Sequence, residues 1–121
     1  CIRDSDKSIS ITATAVRIPV LTGHSESVNI EFNDQYDLSE LKNLLSTSKG
    51  MTLIDDTKNK LYPMPLSCIG KDEVFVGRIR RDESRDNSLN MWVVSDNLRK
   101  GAALNAIQIA EYIIATNLLK N

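Results

Sequence analysis

The stretch Glu-Val-Phe-Val-Gly-Arg-Ile-Arg-Arg-Asp-Glu-Ser-Arg-Asp-Asn-Ser-Leu-Asn-Met-Trp-Val-Val-Ser, residues 73 to 95, decides the fold. Its two ends, 73–81 and 89–95, alternate apolar with other side chains and are rich in β-branched residues. The segment between them is polar throughout. Alternation with a period of two is typical of strands, and a polar connection between two such runs predicts an antiparallel hairpin.

Three further runs of the chain indicate strands. Residues 8–18 alternate and are β-branched, which predicts a long strand that ends at Pro19. Apolar and polar side chains alternate again over 28–32, so a strand with one buried face is predicted there. Residues 51–54 are a short apolar strand, whereas 58–71 contains two prolines and is predicted to be irregular.

Two segments carry helix signals. Asp37-Leu-Ser-Glu40 has the spacing of an N-terminal cap, and leucines follow at helical spacing, which predicts a helix over about 38–48. A longer and more apolar helix is predicted to begin after Ser95-Asp96-Asn97, three residues that all favour the N-cap position, and to run to about Leu119. Residues 1–121 are therefore expected to form one α+β domain. Its mixed, largely antiparallel sheet would have helices on one face and a long C-terminal helix.

Composition excludes several classes of protein. The formal net charge is −1, from 15 basic and 16 acidic residues, so the chain has no strong field to attract nucleic acid. No apolar run approaches the ~20 residues of a membrane span. Two cysteines make no disulfide framework and fit a cytoplasmic protein with reduced thiols. One histidine and two distant cysteines lack the spacing of metal ligands, so no metal site is predicted.

The single histidine, His24, and Arg17 are the first candidates for chemistry. Imidazole exchanges protons near neutral pH, and a guanidinium can grip a carboxylate with two hydrogen bonds. Because Arg17 closes an apolar stripe, it needs a partner, which could be a protein carboxylate or an anionic substrate. The segment Gly23-His-Ser-Glu-Ser27 lacks the second glycine of a serine-hydrolase nucleophile elbow. Cys68 is expected to be a structural thiol.

Three segments, 15–27, 71–82 and 89–112, together resemble the bacterial aspartate-semialdehyde dehydrogenases, and the resemblance runs essentially from Ile9 to Tyr112. Members of that family are much longer and begin with a nucleotide-binding domain that carries a glycine-rich loop. The glycines here cannot form such a loop, and the chain begins with Cys1 rather than Met. We therefore expect the C-terminal third of the enzyme. The resemblance implies the C-terminal domain fold of the glyceraldehyde-3-phosphate-dehydrogenase-like superfamily, and a homodimer.

The resemblance also implies a reaction and three site residues. The family interconverts L-aspartyl 4-phosphate and L-aspartate 4-semialdehyde with NADP, on the way to lysine, threonine, methionine and diaminopimelate. His24 matches the acid/base residue, Arg17 the ligand of the substrate α-carboxylate, and Asn97 the contact to the nicotinamide carboxamide. Asn97 could also simply cap the last helix.

The missing domain would hold most of the NADP and would cover the helix at 98–119. The chain alone is expected to be inactive. Two alternatives are a stand-alone, non-catalytic dimerisation module and a sister acyl-phosphate reductase of the N-acetyl-glutamyl-phosphate type.

Overall fold

The computed structural model describes residues 8–118. Four strands and three α-helices are present in this part of the chain, together with a π-helical turn at Arg99–Ala103. In chain order they are β1 (His24–Glu31), α1 (Leu38–Thr47), β2 (Met51–Leu53), α2 (Pro65–Cys68), β3 (Val74–Arg81), β4 (Ser88–Ser95) and, after the π-helical turn, α3 (Leu104–Ala115).

The strands form one mixed sheet in the order β1-β4-β3-β2. Strands β3 and β4 are antiparallel neighbours, as the hairpin prediction required, and β1 lies antiparallel on the other side of β4. Only β2 is parallel to its neighbour, β3. Helix α1 packs against β2 and β3, and the Asp37 side chain accepts a hydrogen bond from the Glu40 N–H at its start. The α+β class and the largely antiparallel sheet are confirmed.

The prediction of a strand over residues 8–18 is wrong for this chain. Residues 10–18 have no regular structure, and the first strand begins only at His24. The large apolar side chains of the predicted strand 8–18 are exposed to solvent, Ile9 by 60% and Val16 by 75%. A strand needs a neighbour for its backbone N–H and C=O groups, and no strand among residues 8–118 pairs with this segment. The alternation of apolar residues therefore indicated a segment able to pair as a strand, but no strand forms here because no neighbouring strand is present among residues 8–118.

Two further predictions need correction. The segment 58–71 is not wholly irregular, because Pro65 begins the one-turn helix α2, where its missing N–H has no intrahelical partner to lose. The C-terminal helix does not start as a regular α-helix. The helix is kinked over the π-helical turn Arg99–Ala103, where Ala102 has non-helical backbone angles, and α3 ends at Ala115. The expected end at Leu119 lies outside the described residues.

A small apolar core lies where α2 meets the sheet. Cys68, Phe75 and Val94 are almost fully buried there, and Ile54 and Trp92 pack against them. The Trp92 indole N–H donates to the Pro63 carbonyl oxygen at 3.0 Å, so the ring's polar atom is satisfied. The burial of Cys68 agrees with a structural thiol.

Helix α3 has no buried residue, and the element it mainly contacts is the π-helical turn that runs directly into it. Its large apolar side chains are exposed, including Ile107, Ile109, Tyr112 and Ile114. The helix thus presents the uncovered apolar surface that its composition predicted. Among residues 8–118, no helix is both long enough and apolar enough to cross a membrane.

We expect Gly77→Ala to lower the free energy of unfolding by about 3 kcal/mol, the upper end of the cost of overpacking. A Cβ at Gly77 would lie 2.1 Å from the Ile54 carbonyl oxygen and 2.6 Å from Pro63 Cδ, so β3 could not stay this close to the 54–63 loop. Urea denaturation measures the effect. Gly101→Ala is the matched control, since a Cβ there would meet nothing closer than 3.9 Å. Equal stability of the two variants would contradict this packing.

Candidate functional site

One hydrogen bond joins the two distant segments that carry His24 and Asn97. The Gly23 N–H donates to Asn97 Oδ1 at 2.7 Å. His24 follows directly as the first residue of β1, pairs across the ladder with Ser95, and is exposed. The structure therefore brings two of the three expected site residues together at the end of the β1–β4 ladder.

Gly23 makes this corner possible. It is buried, and its φ of +90° lies in a region that residues with a Cβ rarely adopt. A Cβ would lie 3.6 Å from the Ser95 carbonyl oxygen, 3.5 Å from Ile69 and 3.7 Å from Pro65. The backbone at Gly23 thus passes between the end of β4 and the loop around α2. The next residue, His24, has its side chain exposed to solvent.

The Asp96 carboxylate lies beside this corner and is only 5% exposed. One of its oxygens accepts from the Gly70 N–H at 2.8 Å, and the other accepts from Leu98 and Arg99 at 2.8 and 3.0 Å. The hydrogen bond from the Gly70 N–H is the largest of the causes that hold the pKa of Asp96 below its ordinary value. Asp96 is therefore the capping residue among the three that the sequence offered, and it ties the backbone directly after Asn97 to the loop at Gly70.

Asp96 is expected to make stability fall at acid pH. Because the folded state lowers the pKa of this carboxyl, the unfolded state binds the proton more readily, so the stabilisation is present above the unfolded value of about 3.9. It is lost as the pH falls through the lower, folded value. Urea titrations from pH 7 downward should show that wild type and Asp96→Asn converge in stability. Asp34→Asn, at an exposed carboxylate, is the control, and a gap that stays constant for Asp96→Asn would contradict this role.

Arg17 is not brought to the corner by any contact in the structure. It is exposed, lies in the irregular segment before β1, and forms no hydrogen bond or ion pair with another residue of 8–118. The sequence left two possible partners for Arg17, a protein carboxylate and an anionic substrate. Residues 8–118 supply no carboxylate partner for it.

Sequence reasoning missed Gly23 and Asp96 as parts of the site. Gly23 was considered only as part of a rejected hydrolase motif, and Asp96 only as one of three possible caps. The available signal was a glycine directly before a strand, opposite an Asp-Asn pair directly after one. In the part of the chain that the structure describes, no group of three or more His, Cys, Asp or Glu side chains is arranged to hold a metal ion.

The His24 side chain is exposed at this corner. Two concavities among the described residues lie elsewhere, around Tyr62, Arg78 and Arg80, and neither is lined by His24, Arg17 or Asn97. Small-molecule sites usually enclose most of the ligand surface. The expected site residues therefore lie outside both of these concavities.

Comparison with known proteins identifies the family. The profile of the family described as "Semialdehyde dehydrogenase, dimerisation domain" matches residues 2–100. The chain belongs to this family of semialdehyde dehydrogenase domains. It is 53% identical over 112 residues to the aspartate-semialdehyde dehydrogenase of Bacillus subtilis (strain 168), and 48% identical over 114 residues to that of Aquifex aeolicus (strain VF5).

Those two alignments cover 92% and 94% of this chain but only 32% and 34% of the relatives, so the chain spans about a third of their length. A crystal structure of aspartate semialdehyde dehydrogenase II from Vibrio cholerae, complexed with ASA, is similar in fold as well. Its TM-score is 0.73 at 40% identity, and the match covers 82% of this chain and 29% of that one.

Proposed function

We propose that this chain is the C-terminal part of an NADP-dependent aspartate-semialdehyde dehydrogenase. The whole enzyme would convert L-aspartyl 4-phosphate to L-aspartate 4-semialdehyde and phosphate for the synthesis of lysine, threonine, methionine and diaminopimelate. The observation that carries the proposal is 53% identity to the Bacillus subtilis enzyme over nearly the whole chain. The contact between the His24 and Asn97 segments supports it, since the expected roles require these segments to lie side by side.

His24 is the proposed acid/base residue. In this reaction a cysteine thiolate of the enzyme displaces phosphate from the acyl phosphate, and reduction of the resulting thioester ends with release of the aldehyde. A base must take the thiol proton, and an acid must return a proton as the substrate oxygen gains charge. The exposed His24 imidazole at the start of β1 can contact the acyl-phosphate substrate, because it forms no hydrogen bond with another residue of 8–118. The cysteine would come from the rest of the enzyme.

Asn97 is the proposed contact to the nicotinamide carboxamide of the cofactor. In its reduced form, NADPH, the cofactor would supply the hydride that reduces the thioester. The geometry fits in part. Asn97 Oδ1 already accepts from Gly23, whereas the side-chain NH₂ donates to no other residue of 8–118. An amide NH₂ can donate two hydrogen bonds, so it can bind the carboxamide oxygen while Oδ1 keeps its partner.

Arg17 is the proposed ligand of the substrate α-carboxylate. We expect Arg17→Leu to lower kcat/KM of the whole enzyme by ~10–100-fold, which corresponds to the ~1.5–3 kcal/mol of a charge-assisted hydrogen bond. Substrate and transition state both carry this carboxylate, so KM for aspartyl phosphate should rise while KM for NADPH stays the same. Steady-state kinetics with each substrate varied separately measure this.

The matched control is Arg85→Leu, a change at another exposed arginine. It should leave kcat/KM unchanged. An Arg17→Leu enzyme with normal KM for aspartyl phosphate would remove Arg17 from the site.

Substrate choice tests the reaction itself. The whole enzyme should reduce aspartyl phosphate and not N-acetyl-glutamyl phosphate, and the reverse preference would favour the sister reductase. A stand-alone dimerisation module would reduce neither. The gene sequence before Cys1 separates that module from the enzyme as well, because the enzyme requires a glycine-rich nucleotide loop and a nucleophilic cysteine there.

We further propose that residues 1–121 act as one dimerisation and substrate domain of a cytoplasmic homodimer. The family description as a dimerisation domain supports the homodimer. The exposed apolar side chains of α3 support burial of this helix against the nucleotide-binding domain. Sedimentation of the whole enzyme is expected to give a dimer, and a monomer at high concentration would contradict the proposal.

A further inference from the structure

We propose that Asp96 and Asn97 act as a positioning pair that fixes the backbone at His24. In this role Asn97 acts through its oxygen on Gly23, in addition to any contact that its NH₂ makes with the cofactor. The inference rests on the proposed function, because it assigns importance to the placement of His24. Asp96 and Asn97 are positioning residues in this scheme, since each reaches His24 only through the backbone.

The chemistry of the donor fixes which end of the Asn97 amide is used. A backbone N–H can only donate, so the atom 2.7 Å from the Gly23 nitrogen must be the side-chain oxygen. The bond is partly buried and links residues 74 positions apart in sequence, so it holds the approach to β1 against the end of β4. The Gly23 backbone N–H donates to no other residue of 8–118, which leaves Asn97 as its sole acceptor in that range.

Asp96 fixes the backbone directly after Asn97 and ties it to the loop at Gly70. Its carboxylate binds the N–H groups of Leu98 and Arg99, directly after Asn97, and thereby fixes the turn that follows β4. Its other oxygen binds the Gly70 N–H, which anchors the loop whose Ile69 packs beside Gly23. Gly23 is thus held between two segments that the same buried carboxylate fixes.

This arrangement explains how an exposed side chain can have a defined position. The His24 imidazole stands in solvent, with no side-chain partner among residues 8–118 to orient it. Only its backbone is constrained, by pairing with Ser95 on one side and by Gly23 on the other. A shift of about 1 Å in an acid/base group can lower a rate by ~10²-fold, so loss of the Gly23 hydrogen bond should affect turnover.

Two substitutions of Asn97 separate positioning from cofactor binding in the whole enzyme. Asn97→Asp keeps an oxygen acceptor for the Gly23 N–H but loses the NH₂ donor, whereas Asn97→Leu loses both. We expect the Asp variant to raise KM for NADPH and to keep its turnover number within a few-fold of wild type. The Leu variant should lower turnover by ~10–100-fold as well. Asn29→Leu is the control, because Asn29 lies on β1 with His24 and this change also removes side-chain hydrogen bonds, those to Asp82 and Asn90. Its turnover should stay at the wild-type value.

Equal loss of turnover in the Asp and Leu variants, or a change in KM for NADPH alone in both, would overturn the positioning role. Should Asn97→Leu not fold, hydrogen exchange of the wild-type enzyme decides instead. The Gly23 amide should exchange far more slowly than an unprotected amide, and exchange at the unprotected rate would overturn the proposal. The His24→Ala variant distinguishes failure of the positioning role from failure of the proposed function. Full activity of that variant would refute the proposed site, whatever the Gly23 amide does.

Discussion

His24→Ala is expected to lower the turnover number of the whole enzyme by ~10²–10⁴-fold, the usual range for loss of a general acid/base. The substrates should still bind, because the proposed contacts for the α-carboxylate and the carboxamide come from Arg17 and Asn97. KM for aspartyl phosphate and for NADPH should therefore change little. Loss of turnover at nearly constant KM is the mark of a group that acts mainly in the transition state.

The measurement is steady-state reduction of aspartyl phosphate, with a pH profile of kcat for wild type and variant. The acid/base limb present in wild type should be absent from the variant. Glu26→Gln is a matched control, since Glu26 is the next exposed residue on the same face of β1 and has no role in the proposed chemistry. A His24→Ala enzyme with full activity, or a Glu26→Gln enzyme equally impaired, would remove the acid/base assignment.

Residues 73–95 were predictable because several local signals agree. Alternation, β-branched residues and a polar connection all indicate the same hairpin, and its two strands pair within one short segment of the chain. Residues 10–18 carry similar alternation but form no strand, since pairing depends on a neighbour that no local pattern can specify. The π-helical turn at Arg99–Ala103 was equally invisible, because its residues are ordinary helix formers apart from one glycine.

The site was predictable only by resemblance. Nothing in the spacing of Arg17, His24 and Asn97 indicates that any two of them meet, and the bond that joins Gly23 to Asn97 depends on β1 pairing with β4. The role of Asp96 follows from burial and from three backbone donors, which become visible only in the fold. Sequence patterns thus identified the kinds of residues in the site, and the register of the sheet determined which of them lie together.

The chain of residues 1–121, produced alone, is expected neither to reduce aspartyl phosphate nor to bind NADPH measurably. A dinucleotide is held mainly through its pyrophosphate, by backbone N–H groups of a glycine-rich loop at the start of a helix. None of the five glycines here lies in a G-x-G-x-x-G pattern. Among residues 8–118 the one cysteine, Cys68, is not a suitable nucleophile, because it is buried beside Phe75 and Val94 in the core, where a substrate cannot reach its thiol.

Asn97 cannot make up the difference in affinity. With Oδ1 engaged by Gly23, its NH₂ can add one or two hydrogen bonds, each worth ~0.5–1.5 kcal/mol, against the ~8 kcal/mol that micromolar binding requires. Titration of NADPH fluorescence with the purified chain tests this, and the whole enzyme serves as the positive control. A folded chain should leave the fluorescence unchanged. Saturable micromolar binding by the chain alone would mean that a nucleotide site exists within these 121 residues. The proposal that the other domain holds most of the cofactor would then be wrong.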